Sequence, residues 1–255
     1  MKTHSDNNSD FSEAPSVNNL ELENFLKMAD TWWDPSGPFK PLHLINPIRM
    51  DYILQSLCGH FGKVAGVDAP LSGLKILDLG CGGGLLSEPL AKLGATVTGV
   101  DAIEKNIKVA SLHAEKEAIK IDYRFTTAEA LLETGEKFDV IINMEVIEHV
   151  DSVSSFLGSC RGLINPEGVM MISTLNKTVK SYVGAIIGAE YILGWLPKGT
   201  HDWNKFLKPS EFSRFLEEAD FSLKGIKGLE FHPLKNEWRL GPNTSINYLG
   251  YAVPK

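Results

Sequence analysis

The stretch KILDLGCGGGLLSEPL, Lys75–Leu90, constrains this chain more than any other. An apolar run (Ile76, Leu77, Leu79) ends in four glycines within five residues, and helix-like sequence follows. A strand that turns through glycines into a helix lets an open α/β sheet bring bare backbone against a ligand. The surrounding rhythm agrees. Short apolar runs at Lys75–Leu79, Ala95–Val100, Ile121–Phe125, Phe138–Asn143 and Val169–Thr174 alternate with helical stretches at Leu85–Leu93, Ile103–Ala118, Ala128–Leu132 and Val153–Ile164. That order predicts right-handed βαβ units and a mostly parallel sheet with helices on both faces. NPEG at Asn165–Gly168 reads as a helix stop and turn before the fifth strand. KPSEFSRFLEEADF restarts a helix with Ser210 as N-cap. Ser222–Phe231 and Ser245–Ala252 predict an antiparallel edge pair, joined by a Pro/Gly/Asn-containing stretch, for seven strands in all.

Upstream, residues 1–19 are polar and read as a disordered leader. Leu22, Phe25, Leu26 and Ala29 have the spacing of an amphipathic helix. DPSGPFKPLH is a broken turn, and a second helix restarts with Pro47 in its first turn. We expect residues 20–62 to cap the sheet and residues 20–255 to form a single domain. A chain of 255 residues can bury one sizeable core. A net charge of −7 and a pI near 5.5 argue against nucleic acid as a partner. Cys58, Cys81 and Cys160 lack paired spacing and read as reduced thiols. With no signal-like, transit-like or membrane-spanning segment, a cytoplasmic location is expected.

Three ligands compete for the glycine loop. A Walker A loop needs Lys and Ser/Thr after the last glycine, where Leu85 and Leu86 stand, so that reading is excluded. A dinucleotide fingerprint finds Gly80 and Gly82 but meets Leu85 at its third position. S-adenosylmethionine (SAM) carries no phosphate; it needs a bare loop and a carboxylate about twenty residues on to hold the ribose diol. Asp101, ending the second strand in TVTGVD, supplies that carboxylate. Asp78, inside the first strand, either accepts from the loop amides or caps the turn.

The set LDLGCGGG, TGVD, FDVIINMEVIEHV and LINPEGVMMISTLN resembles the class I SAM-dependent methyltransferases. WWDPSGPFKPLHLINPIR and GAEYILGWLPKGTHDWNKFLKPSE narrow the resemblance to the ubiquinone-biosynthesis O-methyltransferases, over most of the chain from about Trp32 onward. The resemblance implies a Rossmann-like fold and methylation of ring hydroxyls on polyprenylated phenols and catechols. It also implies cofactor contacts at Arg49, Gly80, Asp101 and Met144, with Gly82 in the same loop. A guanidinium at Arg49 suits the methionyl carboxylate, although a surface ion pair is the plainer alternative. Met144 ends the fourth strand, either packed on adenine or simply core.

A phenol near pKa ~10 is mostly protonated at neutral pH, so O-methylation needs a base or a Lewis acid. MEVIEHV offers Glu145, Glu148 and His149. On a helical turn these would share a face and either ligate a divalent cation (magnesium or zinc) or present His149 as general base. His43 and His201 are candidates for the substrate pocket, His113 for a solvated helix face, and Trp32 or Trp33 for stacking on the aromatic acceptor. Finally, SYVGAIIGAEYILGWLP within Leu175–Lys208 is apolar all round and flanked by Lys177, Lys180 and Lys198. It reads as buried core or, preferably, as a lid lying on anionic membrane that admits a polyprenyl tail. A peripheral membrane site and a place in a ubiquinone-biosynthesis enzyme complex follow as expectations.

Overall fold

The apolar runs become the inner strands of one sheet. A computed structural model describes residues 32–181, 202–232 and 237–255. The leader, the first expected helix, and residues 182–201 of the insert, with His201, lie outside the described residues. β1 (Lys75–Leu79), β2 (Thr96–Asp101), β3 (Asp122–Phe125), β4 (Phe138–Met144) and β5 (Ile164–Leu175) run parallel in the order β3-β2-β1-β4-β5. β1, β2 and β4 are buried along nearly their whole length. Their sequences therefore lack polar alternation, as a sheet covered on both faces requires.

Two apolar layers cover it. On one face Leu77, Ile141 and Ile172 meet α4 (Ala128–Leu132), α5 (Val153–Leu163) and α6 (Pro209–Glu218) through Leu131, Leu157 and Phe212. On the other, Ile76, Ile142 and Met171 meet α1 (Lys40–Phe61) through Ile53 and Leu57, and α2 (Ser87–Lys92) through Leu90. Successive strand residues feed opposite faces, which is why both layers fill from the same short runs. Each fully buried aliphatic side chain here is worth roughly 2 kcal/mol. Between β2 and β3 lies α3 (Glu104–Lys116).

The far half of the sheet is antiparallel. β8 (Asn247–Pro254) lies beside β5, β6 (Phe221–His232) pairs with β8, and β7 (Glu237–Gly241) forms the edge. The described sheet thus has eight strands where seven were expected. The added strand is β7, from the connection between the two expected edge strands. Trp238 and Leu240, two residues apart, pack there against the cluster of Ile45, Leu229 and Leu249. One such pair is too short a period to identify a strand from sequence.

Three boundaries also shift. α1 begins at Lys40, with a proline at its first turn, and continues through Pro47. Buried Ile45, Arg49, Ile53 and Leu57 offset the backbone hydrogen bond Pro47 forgoes. α6 begins at Pro209 rather than after Ser210, and the Lys208 N–H donates to Glu211 Oε2 at 2.9 Å. NPEG is absorbed into β5 as an irregularity, since the register steps from Phe138↔Ile164 to Val140↔Val169.

Candidate active site

The chain order reverses between β1 and β4, and open α/β sheets bind ligands at such a point, beyond the strands' carboxyl ends. Leu79 is in register with Val100 on one side and Asn143 on the other. The next residues of the three strands, Gly80, Asp101 and Met144, therefore reach one edge together. Gly80 and Gly82 adopt φ of 66° and 55°, a conformation L side chains rarely take. A β-carbon on Gly80 would stand 2.7 Å from Val146, and one on Gly82 would stand 2.5 Å from the Trp32 ring.

Asp101 is buried and ties the loop to the second strand. Its Oδ2 accepts from the Gly82 N–H at 2.9 Å; its Oδ1 accepts from the Ile103 N–H at 2.8 Å and Asn106 Nδ2 at 3.2 Å. Burial pushes its carboxyl up to about 6, against the pull of those three donors. A carboxylate offers about four acceptor positions, so room remains for a ribose hydroxyl. Asp78 turns toward the helix that follows the loop. Its Oδ2 accepts from Ser87 Oγ at 2.5 Å, at the start of α2, and burial raises it to about 7. It thereby ties β1 to the start of α2.

Arg49 projects from α1 to the same edge, almost fully buried, and Nη2 donates to Glu145 Oε1 at 2.8 Å. Ser173 Oγ donates to that same oxygen at 2.6 Å. The alternative of a surface ion pair is thus set aside: the pair is internal. Arg49 Nε is buried with no partner. Glu145 itself has φ 57°, a left-handed turn that a non-glycine residue adopts only under local constraint. MEVIEHV therefore does not continue as one helical face. Glu148 is buried and accepts from Thr174 Oγ1 at 2.7 Å. Burial, then the charge of Glu145, drives its carboxyl well above the usual range.

The site thus brings Arg49, Glu145 and Glu148 together beside Ser173 and Thr174. His149 lies half-buried on the following turn, with its N–H bonded to Val146 O at 2.9 Å. Among the described residues no three of His, Cys, Asp and Glu are arranged to hold a metal ion. Glu145 Oε1 is taken by Arg49 and Ser173, and Glu148 is bonded to Thr174. As placed, Glu145, Glu148 and His149 are not gathered into a three-ligand set. Met144 packs in the apolar cluster with Ile53, Leu86 and Ile142, so its side chain is core.

Trp32 is the core anchor expected of one member of the tryptophan pair. Trp32 stacks on Phe39 at 3.7 Å and covers Gly82 and Gly83; Trp33 stacks on His113 at 3.6 Å and donates Nε1–H to Gly83 O at 2.8 Å. His113 is no solvated residue, since its Nδ1 lies 2.7 Å from buried Glu88. His43 Nε2 meets Trp32 O at 2.9 Å. Both aromatic residues thus brace the loop. Sequence reasoning missed Ser173, Thr174 and Asn106. Only Asn106, five residues beyond Asp101 at the start of a helix, stood where a motif search would look.

A glycine cradle, a buried acceptor with spare capacity and a guanidinium nitrogen without a partner suit the nucleoside and amino-acid ends of SAM. A family model described as a methyltransferase domain matches residues 50–224. The ubiquinone biosynthesis O-methyltransferase of Dinoroseobacter shibae is 52% identical over 238 residues, covering 93% of this chain and 96% of that protein. The mitochondrial protein of the same description from Arabidopsis thaliana is 48% identical over 246 residues, covering 96% and 76%. Among solved structures, magnesium protoporphyrin IX methyltransferase from Synechocystis with bound SAH shares the fold. Its TM-score is 0.62 at 21% identity, with 93% and 96% of the two chains covered. The glycine cradle with Asp101 and the extended sequence similarity agree: this chain belongs to the ubiquinone biosynthesis O-methyltransferase family of SAM-dependent methyltransferases.

Proposed function

We propose that this chain moves the methyl group of SAM to a ring hydroxyl of a polyprenylated phenol or catechol on the route to ubiquinone. The observation that carries this is family membership at about half identity over nearly the whole chain, joined to the site at the β1–β4 switch point. Bound SAM supplies an electrophilic sulfonium methyl. The chain's own residues do the rest. Gly80 and Gly82 admit the cofactor against backbone, Asp101 orients the ribose, and Arg49 holds the methionyl carboxylate through the nitrogens Glu145 leaves free. Met144 walls the pocket beneath the adenine as part of the core.

His149, on the turn beyond β4, takes the acceptor's proton, because an imidazole is the side chain best matched to a base at neutral pH. Glu148, buried and bonded to Thr174, shapes the pocket. Residues 20–255 act as one unit, the segment within 175–208 rests on anionic lipid and admits the tail, and the protein works at a membrane surface, in company with other enzymes of the route. Among the described residues no helix is long and apolar enough to cross a membrane, which suits peripheral contact.

Purified protein incubated with labelled SAM and short-chain prenylated catechols should yield product in which a labelled methyl replaces one hydroxyl proton, a net gain of CH2, together with SAH. Turnover should fall by about a hundredfold or more in His149→Ala, while affinity for S-adenosylhomocysteine (SAH) stays near wild type. SAH binding without methylation of any phenolic acceptor would refute the assignment.

A further inference from the structure

Trp32 reaches both oxygens of Asp101 by separate routes. Through the first, its Nε1–H donates to Asn106 Oδ1 at 3.0 Å, and Asn106 Nδ2 donates onward to Asp101 Oδ1 at 3.2 Å. The donor on one side and the acceptor on the other fix the amide's orientation without ambiguity. Through the second, the indole lies on Gly82 and Gly83, and the Gly82 N–H holds Asp101 Oδ2. Trp32, Asn106 and Asp101 are all buried, so none of these bonds competes with bulk water. The neighbouring Trp33 pins the same loop from its Nε1–H to Gly83 O.

The geometry points to Asn106 as a positioning residue that couples Trp32, in the segment before α1, to Asp101, so that the seat of Trp32 on the glycine loop sets the orientation of the carboxylate that grips the nucleoside. This rests on Asp101 as the ribose carboxylate. The physical content is a carboxylate with little rotational freedom. Its plane is set by two donors at Oδ1 and one at Oδ2, and two of the three depend on where Trp32 sits. A carboxylate held in this way meets the ribose diol already oriented, and the ordering cost is met before the ligand arrives.

A double-mutant cycle on SAH affinity, read by calorimetry with the full chain, tests this. Trp32→Phe keeps an aromatic ring on the loop but removes the donor; Asn106→Leu removes both amide bonds. Each should weaken SAH by about tenfold, the usual effect of losing a buried hydrogen bond. In the Asn106→Leu background Trp32→Phe should add less than about twofold, because the relay is already cut. Two independent packing defects would instead multiply, and that result overturns the coupling. Should Asn106→Leu fail to fold, Trp32→Phe alone decides: unchanged SAH affinity overturns the inference. Asp101→Asn separates the two levels. If it binds SAH as tightly as wild type, the site assignment itself fails. If it binds weakly while Trp32→Phe and Asn106→Leu bind normally, only the relay fails.

Discussion

Replacing Arg49 by Met should expose how much the internal ion pair contributes. The guanidinium is nearly fully buried, whereas the Glu145 side chain is 23% exposed. Removing one partner of a buried pair costs about 3–5 kcal/mol, because the other charge is left uncompensated. Here two features set the value within that scale. Ser173 still donates to Glu145 Oε1 and water reaches part of the carboxylate, which lowers the cost; buried Glu148 lies close enough for its own carboxyl to feel Glu145, which raises it. The balance is about 3 kcal/mol for Arg49→Met. Arg49→Met with Glu145→Gln removes both charges and should recover most of that loss, ending within about 1 kcal/mol of wild type.

Urea unfolding of the ligand-free protein measures this directly, provided the slopes agree between variants. The same variants titrated with SAH give the functional arm. Arg49→Met should bind at least about thirtyfold more weakly, the equivalent of about 2 kcal/mol, in both backgrounds. Glu145→Gln alone should keep most of the affinity, since the guanidinium stays in place. A loss below about 1 kcal/mol for Arg49→Met would refute the description of the pair as desolvated. Normal SAH affinity in that variant would remove Arg49 from the cofactor site.

SAH affinity should depend on pH through Asp101. Burial raises its ligand-free value to about 6, and ribose hydroxyls donate to the ionised form, so affinity is full above that value and falls up to tenfold per unit below it; a flat profile from about pH 5 to 8 would contradict this. Gly83→Ala would place a β-carbon 2.5 Å from Trp32 and should cost about 1–3 kcal/mol in a thermal melt. Gly158→Ala, inside α5 with nothing within 4 Å, should instead stabilise by up to about 1 kcal/mol. Exchanging Ile186, Ile187, Ile192 and Leu193 for serine should abolish co-sedimentation with anionic vesicles while SAH binding persists; unfolding would mark the segment as core.

The parallel half of the sheet was legible because its inner strands β1, β2 and β4 are buried on both faces, so apolar runs and turn residues alone mark them. Boundaries of β1, β4, α4 and α5 agree to within a residue. Legibility ended where local preference and tertiary packing conflict. Pro47 argues for a helix start, yet α1 passes through it because its apolar side chains lie along one buried stripe. β7 carries only Trp238 and Leu240 toward an apolar cluster, and its existence depends on β6 offering an edge.

The glycine loop and its partner carboxylate were legible for the same reason a strand end is: Gly80, Gly82 and Asp101 sit at fixed offsets from apolar runs. The arrangement of the MEVIEHV turn was not, and the cause is one residue. Spacing alone puts Glu145, Glu148 and His149 on a common helical face. The left-handed turn at Glu145 breaks that face, and no periodicity announces it. With the turn in place, Glu145 is anchored on Ser173 and Glu148 on Thr174, two successive residues of β5 whose side chains leave the sheet on opposite sides. A pair that the sequence offers as twin ligands thereby acquires two environments: one carboxylate paired with Arg49, the other buried, with burial and Glu145 pushing its pKa up. Long-range partners such as Arg49, 96 residues away from Glu145, decide that difference, and their geometry exists only once α1 has docked on the sheet.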